Sequence, residues 1–195
     1  MTKRVFIAID ISEEAREKIA GFTAALKREF SHLRVGWEKP EKIHLTLKFL
    51  GDVDEGQLPA IKDAVVKAAV GCEPFNLRVE NTGCFPSPAK ARILWLGLAD
   101  QTGNLRRLKE ALEEKTAALG FEKETRPFAP HLTVARLREP QKSRELVTAY
   151  MQKHFEPVSF EVSTIVIYES KLQPTGSVYA VIEEVKLGAR TSRPQ

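Results

Sequence analysis

Apolar and polar residues alternate along two short stretches of the chain that share nearly the same pattern. The two stretches are His44-Leu45-Thr46-Leu47 and His131-Leu132-Thr133-Val134. In each, a histidine and a threonine lie two residues apart, and an aliphatic residue follows each of them. Because successive side chains of a β-strand point to opposite faces, each histidine would share one strand face with its threonine. The pattern therefore predicts two half-buried strands, which we call the motif strands.

The same alternation makes predictions for the residues that follow each motif. Lys48 falls on the same face as His44, and Phe49 falls on the buried face. Arg136 falls on the face opposite His131, so it needs a β-bulge or the end of the strand to reach the histidine side.

Around the motifs, the hydrophobic pattern predicts helices and strands in an order that occurs twice. The first series is a strand at residues 5–9, a helix capped by Asp10 or Ser12 with apolar positions up to residue 30, the motif strand ending at Gly51, a helix within 54–70 that ends before Gly71, and a strand at 75–80. The second series is a strand at 91–98, a helix at 105–120, the motif strand, a helix at 143–154 and strands at 158–170 and 178–185. Residues 35–40, 82–88 and 121–130 are predicted as connections.

The spacing of these elements indicates an internal duplication. Residue 5 precedes His44 by 39 residues and residue 93 precedes His131 by 38, although alternating helices and strands can produce such spacings by themselves. A duplication also explains why the motif occurs twice. We therefore expect a single domain over residues 1–187, made of two intertwined lobes with approximate repeats at 4–85 and 91–185, and a flexible tail at 188–195. Two related halves that face each other would place the two histidines, 87 residues apart in sequence, on opposite sides of one cleft.

Length and composition are those of an ordinary globular protein. The chain has 195 residues, of which 43% are hydrophobic, and this suffices for a full core. It contains no run of about eighteen apolar residues and no stretch near Met1 long enough for a secretion signal, so we expect a cytoplasmic protein without a membrane partner. The net charge of +4 is compatible with a phosphate-bearing ligand. Cys72 and Cys84 lack a CxxC pattern, which argues against a zinc site and a disulfide framework.

Two histidines on opposite sides of a cleft can carry out complementary proton transfers. The unperturbed pKa of imidazole, about 6.5, lies where both protonation states are populated. One histidine can accept a proton from an attacking hydroxyl group while the other donates a proton to the leaving oxygen, and the threonine hydroxyls can donate hydrogen bonds to an anionic oxygen between them. This combination suits phosphoryl transfer and requires neither a metal ion nor another cofactor.

Other interpretations of the motifs stay open at this point. A solvated strand face would also contain histidine and threonine. A hydrolytic metal site would need further ligands, and neither motif carries Asp or Glu on the histidine face. A threonine nucleophile would need a base in contact with its hydroxyl group. The other two histidines, His32 and His154, lie outside the motifs and are interpreted as surface or packing residues.

The motifs and several further segments resemble the 2H phosphoesterase superfamily, whose members carry two His-x-Thr/Ser-x motifs. The similarity is closest to the RNA 2′,3′-cyclic phosphodiesterases, also called 2′-5′ RNA ligases. The segments that carry the resemblance are residues 4–9, 44–51, 85–86, 91–97, 130–136 and 169–172, together with Gly176 and Tyr179.

The resemblance implies a fold and an activity. The fold would be α+β and bilobal, with two antiparallel sheets forming a V-shaped cleft and helices on the outside. The activity would open 2′,3′-cyclic phosphate ends of RNA to leave a 2′-phosphate, and related chemistry in reverse would form a 2′-5′ linkage without ATP. RNA, tRNA fragments included, would be the partner of a chain that we expect to be monomeric.

The resemblance also implies roles for individual residues. His44 corresponds to the proton donor to the departing 3′-oxygen, and His131 to the proton acceptor that activates water. Thr46 and Thr133 correspond to phosphate donors, and Arg136 to an arginine that contacts phosphate. Because the two halves are nearly symmetric, the sequence leaves open an exchange of the two histidine roles.

Two aromatic residues and two other functions complete the hypotheses. Trp37 and Phe128 could stack on a nucleobase or could pack against neighbouring side chains. The substrate could instead be a small cyclic nucleotide or ADP-ribose cyclic phosphate. An RNA-end-binding module without turnover is the alternative from another class of protein.

Overall fold

Nine β-strands and four α-helices form the described part of the chain, residues 1–174 and 176–188 of the computed structural model. The strands are β1 (Thr2–Asp10), β2 (Val35–Trp37), β3 (His44–Asp54), β4 (Phe75–Phe85), β5 (Ile93–Ala99), β6 (His131–Leu137), β7 (Val158–Val162), β8 (Thr164–Gln173) and β9 (Gly176–Lys186). The helices are α1 (Glu13–Glu29), α2 (Leu58–Ala69), α3 (Asn104–Ala117) and α4 (Arg144–Gln152). The predicted flexible tail, residues 188–195, lies outside the described residues except for Gly188.

All these strands belong to one hydrogen-bonded sheet in which neighbours are antiparallel. The order is β7-β4-β5-β6-β3-β1-β8-β9, with β2 alongside β6. Between β3 and β6 the ladder contains one residue pair, Leu45 with Leu132, whereas the other neighbours share longer ladders. The sheet therefore consists of a half with five strands, β7-β4-β5-β6 and β2, and a half with four, β3-β1-β8-β9, and the halves meet along the two motif strands. The predicted α+β class with antiparallel strands beside a cleft is confirmed, and the two predicted sheets are joined into one through the pair of Leu45 and Leu132.

The two halves exchange strands. β4 follows the first motif strand in the chain, but it pairs with β5 and β7 in the half that contains the second motif. β8 follows the second motif strand, but it pairs with β1 in the half that contains the first motif. Each half thus includes strands from both predicted repeats. The extent of the single domain, residues 1–187, stays a prediction.

Ser163 separates two strands that belong to opposite halves of the sheet. The hydrophobic pattern predicts one strand over residues 158–170, and this prediction is wrong because the chain divides there into β7 and β8. The burial pattern changes at the division: alternate positions 158, 160 and 162 are buried in β7, whereas three consecutive positions, 165 to 167, are buried in β8. Two apolar runs joined by a single residue resemble one strand when only their hydrophobicity is considered.

Bulges make β3 and β4 longer than their sequences predict. Residues 82–85, predicted as part of a connection, pair with β5 after a register shift at Asn81, whose φ is 58°. Gly51, the predicted end of the first motif strand, has a φ of 76° and lies at a register shift within β3. A bulge inserts a residue without ending the strand, so turn-forming residues are misleading there. The predicted connection at residues 35–40 also contains a strand, β2.

The helices begin and pack as their sequences require. Ser12 caps α1 as predicted, because its Oγ accepts a hydrogen bond from the backbone N–H of Ala15 at 3.2 Å. The apolar face of α1 is buried, and α1 packs against β7 and α4 while α2 packs against α3. Within the described ranges, no helix is long and apolar enough to cross a membrane.

Candidate active site

The two motif strands are neighbours where the sheet halves meet, and their polar side chains line one cleft. The cleft has a volume of about 260 Å³. Its sequence-predicted residues are His44, Thr46, His131, Thr133 and Arg136. The other lining residues are Arg4, Phe6, Glu38, Lys42, Phe49, Ser170, Leu172, Ser177 and Tyr179. All five residues predicted for the site are therefore brought together.

Both motif histidines are oriented by the same backbone contact. Nδ1 of His44 lies 2.7 Å from the carbonyl oxygen of Lys42, and Nδ1 of His131 lies 2.8 Å from that of Ala129. A carbonyl oxygen can only accept, so each Nδ1 carries a hydrogen and donates it. Nε2 is then the nitrogen that gains or loses a proton in each ring. In His44 this atom lies 3.1 Å from Oγ1 of Thr46.

Aromatic rings pack against each histidine. The ring centroids of Phe6 and Tyr179 lie 5.0 and 5.3 Å from that of His44, and the Tyr179 ring is nearly perpendicular to the imidazole. The Phe85 ring lies 5.0 Å from His131 in a similar edge-to-face arrangement. Such contacts restrict the rotation of the imidazole rings.

Gly83 provides the space for Trp95, which packs beside His131. The centroids of the Trp95 and His131 rings are 6.3 Å apart. A Cβ atom at Gly83 would lie 2.1 Å from atoms of the Trp95 ring, which is far inside van der Waals contact. The glycine is therefore required here by space, because any side chain would displace the indole that supports the histidine.

Arg136 reaches the cleft because a β-bulge interrupts the alternation of β6. The ladder between β5 and β6 omits Val134, so Val134 and Ala135 are both buried and Arg136 returns to the face of His131. Its Nε lies 3.3 Å from Oε1 of Glu38, which also lines the cleft. The sequence prediction that Arg136 needs a bulge is confirmed.

The corresponding bulge in β3 overturns the predictions for Lys48 and Phe49. The ladder between β1 and β3 omits Leu47, and Lys48 is buried, with 5% of its surface exposed, instead of facing the cleft. Its Nζ donates hydrogen bonds to Oε2 of Glu113 and to the carbonyl oxygen of Glu122, both at 2.5 Å. Phe49, predicted to be buried, is 66% exposed and lines the cleft. Alternation alone does not reveal an inserted residue.

An ion-pair network compensates the charge of the buried lysine. Glu113 receives hydrogen bonds from both Lys48 and Lys109. Burial raises the pKa of Glu113, but the hydrogen bonds from Lys109 and Lys48 outweigh burial and bring this pKa below its ordinary value. Glu113 thus stays ionised at neutral pH, and the network ties β3 to α3.

Burial is the largest influence on the pKa of His44 and lowers it below the ordinary value of 6.5. The hydrogen bond to Lys42 and the charges of Asp10 and Glu38 act in the opposite direction, whereas the charge of Arg136 lowers the pKa further. Burial prevails, so the His44 side chain is mostly neutral at pH 7.

Several residues that sequence reasoning considered lie outside the cleft. Neither Trp37 nor Phe128 is among the residues that line the cleft; their rings lie under the ammonium groups of Lys27 and Lys109. The remaining histidines, at positions 32 and 154, are exposed and also lie elsewhere.

Sequence reasoning assigned no role to the aromatic and charged residues that complete the cleft. Phe6 lies on a strand predicted to be wholly buried, and Glu38 lies in a predicted connection. Arg4, Phe6, Phe49 and Tyr179 belong to the segments that resemble the superfamily, and this membership is the signal that could have found them. Across residues 1–174 and 176–188, no three His, Cys, Asp or Glu side chains gather in a way that could hold a metal ion.

Two histidines of duplicated strands that face one cleft are the arrangement of a two-histidine phosphoesterase. The sequence profile of the LigT-like phosphoesterases matches the chain twice, over residues 9–95 and 96–179, and each match contains one motif. The chain belongs to the LigT-like phosphoesterase family, and the resemblance to the 2H superfamily is confirmed.

Relatives with assigned names match nearly the whole chain. The RNA 2′,3′-cyclic phosphodiesterase of Methanothermobacter thermautotrophicus is 33% identical, and the match covers 96% of this chain and 100% of that protein. The protein of the same name from Thermotoga maritima is 34% identical, with 93% of this chain and 94% of the relative covered.

Solved structures show the same fold. The Thermus thermophilus protein TT0787 superimposes with a TM-score of 0.75 at 27% identity, covering 95% of this chain and 98% of its own. LigT of Escherichia coli, in its complex with 3′-AMP, gives a TM-score of 0.76 at 24% identity, covering 97% and 100% of the two chains.

We expect Gly83→Ala to lower the free energy of unfolding by about 1–3 kcal/mol, because the new methyl group overpacks the Trp95 ring. Urea denaturation measures the difference. Gly21→Ala is the matched control, since a Cβ there meets no atom within 4 Å and alanine favours the helix. Equal stability of the Gly83→Ala variant and the wild-type protein would contradict the packing role of Gly83.

The His44 imidazole is expected to titrate below pH 6.5, and its pKa should respond to the charges of the cleft. Removal of a positive charge favours the imidazolium, so Arg136→Gln should raise the pKa. Removal of a negative charge disfavours it, so Glu38→Gln should lower the pKa. Chemical shifts of the imidazole protons across a pH titration measure both changes. Shifts in the reverse directions would show that these two charges do not control His44.

Proposed function

We propose that this protein is a metal-independent phosphodiesterase that hydrolyses RNA 2′,3′-cyclic phosphate ends to 2′-phosphomonoesters. The observation that carries the proposal is the cleft that both histidines line while a backbone carbonyl holds each Nδ1–H, which leaves Nε2 of each ring for proton transfer. The names of relatives that are 33–34% identical over nearly the full chain support the choice of substrate.

In the proposed reaction the two histidines have complementary roles. Nε2 of His131 accepts a proton from a water molecule, whose oxygen attacks the phosphorus atom. As the new P–O bond forms, the bond from phosphorus to the 3′-oxygen breaks, and Nε2–H of His44 donates the proton that this oxygen needs. The product carries a 3′-hydroxyl group and a 2′-phosphate. This pair of transfers is general acid-base catalysis on a single phosphorus atom.

The other residues of the motifs bind the charge of the phosphate. The hydroxyl groups of Thr46 and Thr133 donate hydrogen bonds to the non-bridging oxygens, and the guanidinium of Arg136 supplies a further charged donor. His44 needs a proton to act as the acid, although burial lowers its pKa. The negative charge of a bound cyclic phosphate raises this pKa, because a nearby anion favours the imidazolium.

The same arrangement supports ligation when a hydroxyl group, and not water, is the nucleophile. If the 5′-hydroxyl group of a second RNA replaces water as the nucleophile, His131 accepts its proton and the 3′-oxygen leaves as before. The product is a 2′-5′ linkage. No ATP is consumed, because the P–O bond of the cyclic phosphate that breaks is replaced by another P–O bond.

The test of the function is a product analysis without metal ions. The protein is incubated in EDTA with an RNA oligonucleotide that ends in a 2′,3′-cyclic phosphate, and we expect a 2′-phosphate end. A 3′-phosphate would overturn the proposed direction of ring opening, and loss of activity in EDTA would overturn metal independence. If the protein hydrolyses ADP-ribose cyclic phosphate and not the RNA, that compound is the substrate class of the site. Binding of the RNA without hydrolysis would indicate an RNA-end-binding module.

His44→Ala and His131→Ala should each reduce kcat by at least about a hundredfold, since each removes one of the two proton transfers. The free energy of unfolding should stay close to that of the wild-type protein, because both side chains line the cleft and lie outside the core. His32→Ala is the matched control, with an exposed histidine outside the cleft, and it should retain wild-type turnover. Wild-type rates in either motif variant would exclude acid-base catalysis by that residue.

A further inference from the structure

Arginine side chains continue beyond the cleft at the end of β6. Arg136 and Arg138 are both exposed, and Leu137 between them is buried, so the two arginines lie on the same face. The backbone N–H of Arg138 donates to the carbonyl oxygen of Arg34 at 3.3 Å, which extends the pairing that sets Gly36 opposite Arg136. Arg34 and Arg138 therefore lie opposite each other, next to the cleft. We call these two residues the arginine pair.

The arginine pair places two like charges on directly opposite residues. Like charges directly opposite each other on antiparallel strands destabilise a sheet. Among the salt bridges of residues 1–174 and 176–188, neither member of the pair has a carboxylate partner within 4.0 Å. The main cause that lowers the pKa of Glu139 is the hydrogen bond that its carboxylate accepts from Nζ of Lys142 at 2.9 Å. The charge of Arg34 contributes to lowering this pKa. The fold alone gives no reason for two exposed cations to meet here.

We propose that the arginine pair binds the phosphodiester backbone of RNA on the 5′ side of the nucleotide whose cyclic phosphate occupies the cleft. The proposal rests on the proposed function and deepens it, because it assigns a second binding surface beside the cleft to the 5′ part of the RNA substrate. A polyanionic strand would relieve the repulsion between the two guanidinium groups. Each group also presents paired N–H donors that match two phosphate oxygens.

Spacing and topology support this path for the strand. Residues two apart on a β-strand are separated by about 6.5–7 Å, which is comparable to the distance between successive phosphates of an extended nucleic acid strand. Arg136 in the cleft and Arg138 beyond it are thus placed to contact consecutive phosphates. β2 pairs with β6 and has no counterpart beside β3 in the described ranges, so the pair exists on one side only. The RNA would leave the cleft on the side of His131.

The experiment compares two substrates in one double variant, Arg34→Gln with Arg138→Gln. The first substrate is a nucleoside 2′,3′-cyclic phosphate, and the second is a six-nucleotide RNA with the same cyclic end. We expect kcat/KM of the variant to fall on the order of tenfold for the oligonucleotide, mainly through KM, and to stay unchanged for the mononucleotide. The salt dependence of log(kcat/KM) for the oligonucleotide should also become less steep, by about 0.7 for each phosphate that the variant no longer neutralises.

The matched control is the double variant Lys67→Gln with Lys115→Gln. Both lysines are exposed on helices, and their replacement changes the net charge by the same amount. This control should behave like the wild-type protein on both substrates. A loss for the oligonucleotide in the control would mean that net charge, and not the arginine pair, attracts RNA.

The remaining outcomes separate the two proposals. An equal loss for both substrates, or no loss for either, would overturn RNA binding by the arginine pair while leaving the proposed function intact. If the wild-type protein hydrolyses neither substrate, the proposed function fails, and fluorescence anisotropy with a labelled six-nucleotide RNA then decides. Weaker binding by the Arg34→Gln, Arg138→Gln variant than by the control supports the arginine pair, and equal binding overturns it.

Discussion

One backbone pairing joins the two halves of the sheet, and the position of the cleft residues depends on it. Leu45 and Leu132 lie opposite each other on the motif strands, and both are almost completely buried. A histidine precedes each leucine in the chain, so burial of the leucines turns both histidines toward the other face of the sheet. Two residues that are 87 positions apart in sequence thereby become neighbours in one cleft.

The two motif strands use the same local devices but present different side chains. In both, the carbonyl oxygen two residues before the histidine accepts its Nδ1–H, and in both a bulge follows the threonine. The residue that emerges after the bulge is Phe49 on one strand and Arg136 on the other. The cleft is therefore symmetric in its backbone and asymmetric in charge. This asymmetry gives the two histidines, the proposed acid and base, unequal electrostatic environments.

Local regularities made much of the fold and site predictable from the sequence. Ser12 caps its helix through a contact three residues away, and the two motifs carry their own strand periodicity. Arg136 could be placed in the cleft because the resemblance implies a phosphate contact, which strict alternation allows only with a bulge or a strand end. The burial of Lys48 and the exposure of Phe49 could not be predicted, because they follow from a bulge in the pairing of β3 with β1. The carboxylate that accepts the hydrogen bond of Lys48 belongs to Glu113, 65 residues away in sequence. The division at Ser163 likewise depends on which distant strands each segment pairs with.

The strand exchange between the halves bears on how such a chain could arise. A half-length ancestor with one histidine would leave β4 without β5, and it could complete neither the sheet nor the pair of cleft histidines. Two identical copies related by a twofold axis would supply both, each lending a strand to its partner. Fusion of two such copies into one polypeptide would then free each half to diverge, with an aromatic ring on one wall and a guanidinium on the other.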